Sequence, residues 1–161
     1  MKTMKLFYIA LLGVLVALGS PVARSAETET AKAPEREVVE CLRAIQVAAE
    51  KLDVDGVFGR VMENDGGALV QNGRVLLTRG AALESTREGF RGVRKIKYTV
   101  GQEHVTILAA DLALVVSDGQ SHLELEDGRV FDTPFAQSVL LKRVAGSWNV
   151  LHAHRSFPAK L

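Results

Sequence analysis

Gly146-Ser147-Trp148-Asn149-Val150-Leu151-His152-Ala153-His154-Arg155-Ser156 is the stretch that decides how this chain reads. Gly146 and Ser147 mark a tight turn. The residues that follow alternate as a β-strand does, with successive side chains on opposite faces. Simple alternation predicts Trp148, Val150, His152, His154 and Ser156 on one face and Leu151, Ala153 and Arg155 on the other. An aromatic ring, two imidazoles and a guanidinium thus share the last strand.

Working back from it, Val130 to Val144 reads as the preceding strand, with Pro134 predicting an edge or a bulge. Glu126 to Arg129 is a turn. Leu112 to Leu125 is a strand interrupted at Asp118-Gly119, where a bulge or kink is predicted. Ile96 to Leu108 is a long alternating run that Asp111 turns. Leu83 to Phe90 reads as a short helix. Asn72-Gly73 between two apolar runs predicts a hairpin, because both residues tolerate positive φ. Asp53 can cap a helix containing Val57, Phe58, Val61 and Met62. Before it, Val38, Leu42, Ile45, Ala49 and Leu52 fall on one helical face. Helices first and an antiparallel meander last predict an α+β fold, with three helices packed on one face of a curved, mostly antiparallel sheet.

The 161 residues allow one domain. A net charge of +1 with interspersed acids and bases gives no footprint for nucleic acid. Lys2 and Lys5 precede an uncharged run from Leu6 to Leu18, and the small residues Ala23 and Ser25 follow. This pattern predicts a signal peptide over 1–25, cleaved after Ser25. A polar, flexible leader is expected over 26–34 and the domain over 35–161. The mature protein is therefore expected to be exported, periplasmic or secreted, with no membrane segment once the signal is removed. Cys41 is the single cysteine, so no internal disulfide is available. It lies beside Val38, Leu42 and Ile45, which reads as a small buried hydrophobe rather than a nucleophile. Zinc-finger spacing, a phosphate loop and a dinucleotide fingerprint are all missing, so no cofactor is expected.

The closing strand, together with this order of elements, resembles the nuclear transport factor 2-like superfamily, including its SnoaL-like and ketosteroid-isomerase-like members. Gly146, Trp148, His152, His154, Arg155 and Ser156 most resemble the ending of the calcium/calmodulin-dependent kinase association (hub) domain and its stand-alone bacterial relatives. The resemblance implies a cone-shaped pocket that serves as a binding site or as an active site. Hub-type pockets hold a small carboxylate with several basic residues. Arg155 matches one of these, whereas Val139 stands where the hub domain carries another arginine. The resemblance also implies a homodimer through the exposed sheet face.

Arg155 is the first candidate for ligand binding, through a forked hydrogen bond to a carboxylate. The competing reading is a strand-end salt bridge with Glu103 or Glu124. Gln137 shares a strand face with Val139 and Leu141, which places Gln137 and Val139 beside Arg155 in the expected pocket. Trp148, Val150, His152 and His154 are expected at the dimer interface, where an apolar face would be covered. His152 and His154 have a usable metal spacing, and His104 or His122 could supply a third ligand. The stronger reading is that both histidines face away from the pocket, and no metal is expected. Acid–base chemistry needs a carboxylate base and a hydroxyl or acid for the oxyanion. Tyr98, Asp118 and Asp132 are candidates by residue type alone. Two functions stay open: a non-enzymatic binding module for a carboxylate-bearing molecule, and an enzyme that moves a proton or adds water in an apolar pocket.

Overall fold

The computed structural model describes residues 21–64 and 66–158. Most of the expected signal peptide, residues 1–20, lies outside the described residues. Helix α1 is Pro21–Glu50. Residues 26–34, expected as a flexible leader, are therefore helical, in keeping with their strong helix formers Ala, Glu and Lys. Pro34 lies inside this helix and donates no backbone hydrogen bond there. The chain divides between Ala31 and Lys32 into two compact units, and everything below concerns the second. Among the described residues no helix is long and apolar enough to cross a membrane.

Helix α2, Val54–Phe58, starts where the Asp53 carboxylate accepts from the Gly56 amide at 2.8 Å. The hairpin of β1 (Leu69–Gln71) and β2 (Arg74–Leu76) turns through Asn72 and Gly73 at φ 52° and 71°. Those angles are the left-handed ones the dipeptide predicts. Helix α3, Arg79–Gly89, begins earlier than its apolar pattern suggests because Thr78 caps it, accepting from the Ala81 amide at 3.1 Å. The long strands are β3 (Val93–Ala109), β4 (Leu112–Leu125), β5 (Val130–Val144) and β6 (Ser147–Ser156). They form one six-stranded sheet in the order β2-β1-β6-β5-β4-β3. Strands β1 and β6 run parallel, and Val61 adds an isolated parallel bridge to Val150.

Two irregularities control which side chains face inward. On β6, Leu141 pairs with Val150 but Leu140 pairs with His152, so Leu151 is an extra residue. The bulge falls where β6 changes neighbours. Arg60 and Met62 bond Val150 on one side of it, and Ala68 bonds Ala153 on the other. The Leu151 carbonyl accepts from Asn64 Nδ2 at 2.9 Å. On β3, Val100 pairs with Gly119 and Glu103 with Ser117, so Gly101 and Gln102 bulge opposite Asp118. Asp118 caps that bulge, accepting from the Gln102 amide at 2.7 Å. The bulge expected at Asp118-Gly119 is thus on the partner strand, and β4 itself is continuous. Pro134 lies beyond the last β5–β6 pair, Ala136 with Ser156, where β5 is locally an edge.

The Leu151 bulge corrects the expected face of β6. Trp148 and Val150 do not share a face with His152 and His154. They are buried, 3% and 5% exposed, in a core with Val38, Cys41, Val115 and Leu141. Their assignment to a dimer interface is withdrawn, because the side chains point at α1 and not at solvent. Trp148 Nε1 donates to the Glu37 carboxylate at 3.2 Å, and Glu37 also pairs with Arg143. The Cys41 thiol donates to the Trp148 carbonyl at 3.2 Å, and burial pushes its pKa up. A thiol held protonated in the core is a packing group.

Candidate functional site

Between the helices and the concave face of the sheet lies a cavity of about 620 Å³, within the usual range for small-molecule sites. Strand register allows its sheet wall to be read row by row. Its lowest row is apolar: Val105, Val115, Val139, Ala153 and Leu69 lie side by side across the five strands from β3 to β1. Of these, Val139, Ala153 and Leu69 line the cavity, and Val105 and Val115 belong to the core. The next row is polar throughout: Glu103, Ser117, Gln137, Arg155 and Gln71. Beyond it come Val100, Gly119 and Phe135, and then Tyr98, Ser121 and Thr133.

The polar row is internally ordered. Arg155 donates from Nε and Nη2 to Gln137 Oε1 at 3.1 and 2.7 Å. Gln137 Nε2 donates to the hydroxyl of Ser117, itself 4% exposed, at 3.1 Å. The guanidinium fixes the amide orientation, since a flipped amide would present donors to donors. Arg155 also lies against two rings, with its Cζ 5.0 Å from the Phe135 centroid and 5.4 Å from that of Tyr98. Tyr98 is placed by α1. Its amide donates to Glu50 at 2.9 Å, and its carbonyl accepts from Gln46 at 3.2 Å. Arg155 makes no ion pair among the described residues, and no acceptor among them lies on Nη1. The end of the guanidinium formed by Nη1 and Nη2 therefore keeps a geometry suited to a carboxylate.

The structure brings together Arg155, Gln137, Val139 and Tyr98 at this cavity. It does not bring Asp118 or Asp132 there. Asp118 is exposed on the outer face, where it caps the β3 bulge. Asp132 is exposed too, 2.8 Å from His122 Nδ1, and their hydrogen bond holds the imidazole pKa above its usual value. Glu124, bonded by Lys95, Arg94 and His122, is held at about 2. Both aspartates are accordingly removed from the catalytic candidates. Neither of the carboxylates weighed as a salt-bridge partner for Arg155 pairs with it. Glu124 serves the outer cluster, and Glu103 lines the cavity without a partner among the described residues. His152 bonds the Gly67 carbonyl and His154 is exposed. Among the described residues no group of three His, Cys, Asp or Glu is placed to hold a metal ion.

Glu103, Ser117 and Gln71 are the site residues that alternation alone does not single out. The signal for Glu103 is Gly101, whose absent side chain leaves room for Asp118: a Cβ there would lie 2.4 Å from Asp118 Oδ1.

A curved sheet closed by three helices around such a cavity is the nuclear transport factor 2-like cone. The chain belongs to the SnoaL-like domain family, which matches residues 38–160. Solved structures agree at the level of fold. A candidate dehydratase of the NTF2-like family from Streptomyces avermitilis superposes with a TM-score of 0.69 at 19% identity, covering 78% of this chain and 97% of that one. A ketosteroid isomerase-like protein from Erwinia carotovora atroseptica gives 0.65 at 22% identity, covering 78% and 96%. A candidate calcium/calmodulin-dependent protein kinase II association domain from Xanthomonas campestris gives 0.68 at 17% identity, covering 78% and 89%. Comparison with curated proteins gives no match.

Proposed function

We propose that this domain binds a small, carboxylate-bearing organic molecule in its cavity, with Arg155 as the polar anchor. The observation that carries the reading is the state of Arg155: a guanidinium inside a largely apolar cavity, held by Gln137 and two rings, with no partner on Nη1 among the described residues. A charge left unpaired in such surroundings is costly, and a carboxylate repays that cost. The ligand's apolar body would rest on Val139, Ala153 and Leu69, which line the cavity, where burial contributes roughly 25 cal/mol per Å². With benzoate and 4-phenylbutyrate as probes, calorimetry on the wild type should show binding. Arg155→Ala should weaken it at least about tenfold, the usual scale for a lost charge-assisted hydrogen bond. Equal binding by wild type and variant, or a response to neutral ketones alone, would sink the reading.

One observation favours a second reading. Glu103 is a half-buried carboxylate in the same cavity as the Tyr98 ring. That pair is the minimum for a ketosteroid-isomerase-like or SnoaL-like proton transfer or hydration, with the carboxylate as base and the phenol at the oxyanion. Turnover of a ketone that disappears in Glu103→Gln would favour it.

Two further parts of the proposal concern where and how the domain works. Export is supported by Lys2, Lys5 and the apolar run after them. Self-association is supported by the outer sheet face, where Val116 is 46% exposed and Leu114, Leu140, His152 and His154 lie beside it. Protein isolated from the periplasm or medium and passed through light scattering and intact-mass analysis tests both. The expected result is twice the chain mass and a first residue of Ala26. A monomer, or an uncut chain, would remove the corresponding part.

A further inference from the structure

We propose that the occupant of the cavity is a zwitterion, with its carboxylate on Arg155 and a cationic nitrogen on Glu103. The inference rests on the carboxylate-binding reading and names the other end of that ligand. Glu103 and Arg155 belong to the same register row, separated by Ser117 and Gln137. The two middle residues are bonded to each other, and Gln137 to Arg155. Besides the Gln71 amide at its far end, the row leaves open one positive and one negative group. Both line the cavity, they form no ion pair with each other, and Glu103 has no partner at all among the described residues.

Two opposite charges that share an apolar cavity without meeting set a definite demand on what fills it. A simple monoanion would satisfy Arg155 but leave Glu103 unpaired and bring a like charge toward it. A neutral ligand would leave both charges unpaired. A dipolar ligand meets both with charge-assisted hydrogen bonds. The span is set by the sheet. The Arg155 guanidinium lies over the Phe135 ring of β5, 5.0 Å from its centroid. From β5 to β3 is two strand spacings, about 10 Å. Glu103 reaches part of that distance. An α-amino acid, with both charges on one carbon, is too short for the remainder, whereas five or six carbons between carboxylate and nitrogen suit it. The methylenes of such a chain would pass Val139 and Phe135, which line the cavity, where their burial is favourable.

Calorimetry at low salt with 6-aminohexanoate, hexanoate, 6-hydroxyhexanoate and glycine tests this on wild type, Glu103→Gln and Arg155→Gln. Glu103→Gln keeps shape and removes charge, and its melting temperature serves as the check that it folds. The wild type should bind 6-aminohexanoate about tenfold or more tighter than hexanoate, with glycine weaker than either. Glu103→Gln should erase that preference while leaving hexanoate binding intact or improved. Arg155→Gln should weaken both six-carbon acids. Equal binding of the amino acid and hexanoate by wild type would overturn the zwitterion while leaving the carboxylate reading in place. So would an equal loss of both in Glu103→Gln, or a gain by 6-hydroxyhexanoate as large as that of the amine. Failure of every carboxylate to bind the wild type would overturn the underlying reading as well.

Discussion

Trp148→Ala is expected to lower the unfolding free energy by about 3–5 kcal/mol, the usual cost of emptying an aromatic core site. The residue joins three kinds of contact. Its ring packs in the cluster with Val38 and Leu141, and the Arg143 guanidinium lies 5.6 Å from its centroid. Its indole N–H holds Glu37 on α1, and its carbonyl accepts from Cys41 on the same helix. The truncation leaves the last contact in place, opens a cavity under α1 and frees the Glu37 carboxylate from one of its two partners. A single domain commonly has only 5–15 kcal/mol in total, so the variant should sit near the edge of folding. Urea denaturation measures the loss. Trp148→Phe separates the terms: it keeps most of the burial but not the hydrogen bond, and should cost about 1–2 kcal/mol from the lost bond. A loss below about 1 kcal/mol for the alanine variant would mean that Trp148 lies on an exposed face after all.

Gly119→Ala is the second large effect. A Cβ at this position would lie 2.4 Å from the Thr99 carbonyl oxygen and 2.8 Å from Phe135 Cζ. The carbonyl belongs to the paired strand β3 and cannot move alone, so β4 must shift, and the Phe135 ring must give way as well. Overpacking of this kind costs about 1–3 kcal/mol. Because Phe135 also flanks Arg155, the same methyl group should weaken carboxylate binding, which ties a stability readout to a site readout. Thermal melting and calorimetry on the one variant measure the two. Unchanged melting together with unchanged binding would contradict the close approach of Phe135 to Gly119. Gly101 makes a useful contrast. A Cβ there also meets an atom at 2.4 Å, but that atom is the end of the Asp118 side chain, which can rotate away at the cost of the bond to Gln102.

The sequence by itself determined the order and type of the elements. Asn72-Gly73 set a hairpin because its two residues accept left-handed angles. The alternation of Phe135, Gln137, Val139 and Leu141 placed Gln137 and Val139 on one wall, and the spacing of Ala153 and Arg155 placed them beside it. These features are local, since side-chain parity along an uninterrupted strand needs no knowledge of its neighbour. Continuous parity on β4 likewise sends Asp118 outward once Val115 and Ser117 face in.

Only the tertiary structure decided the parity across the two bulges. Without the extra residue at Leu151, Trp148 and Val150 would share the outer face with His152 and His154. Without the Gly101-Gln102 bulge, Glu103 would follow Lys97 and Thr99 to the outside, and no carboxylate would enter the polar row beside Ser117. The local marks are slight, Gly101 on β3 and the adjacent apolar pair Val150-Leu151 on β6, and neither says which partner fixes the reversal. A bulge is a mismatch in length between two paired strands. It exists only once the partner is in place, in one case Asn64 and β1 beside β6, in the other Asp118 across from β3. One such residue turns every later side chain to the opposite face. That reversal buried the tryptophan and set Glu103 in the same row as Arg155.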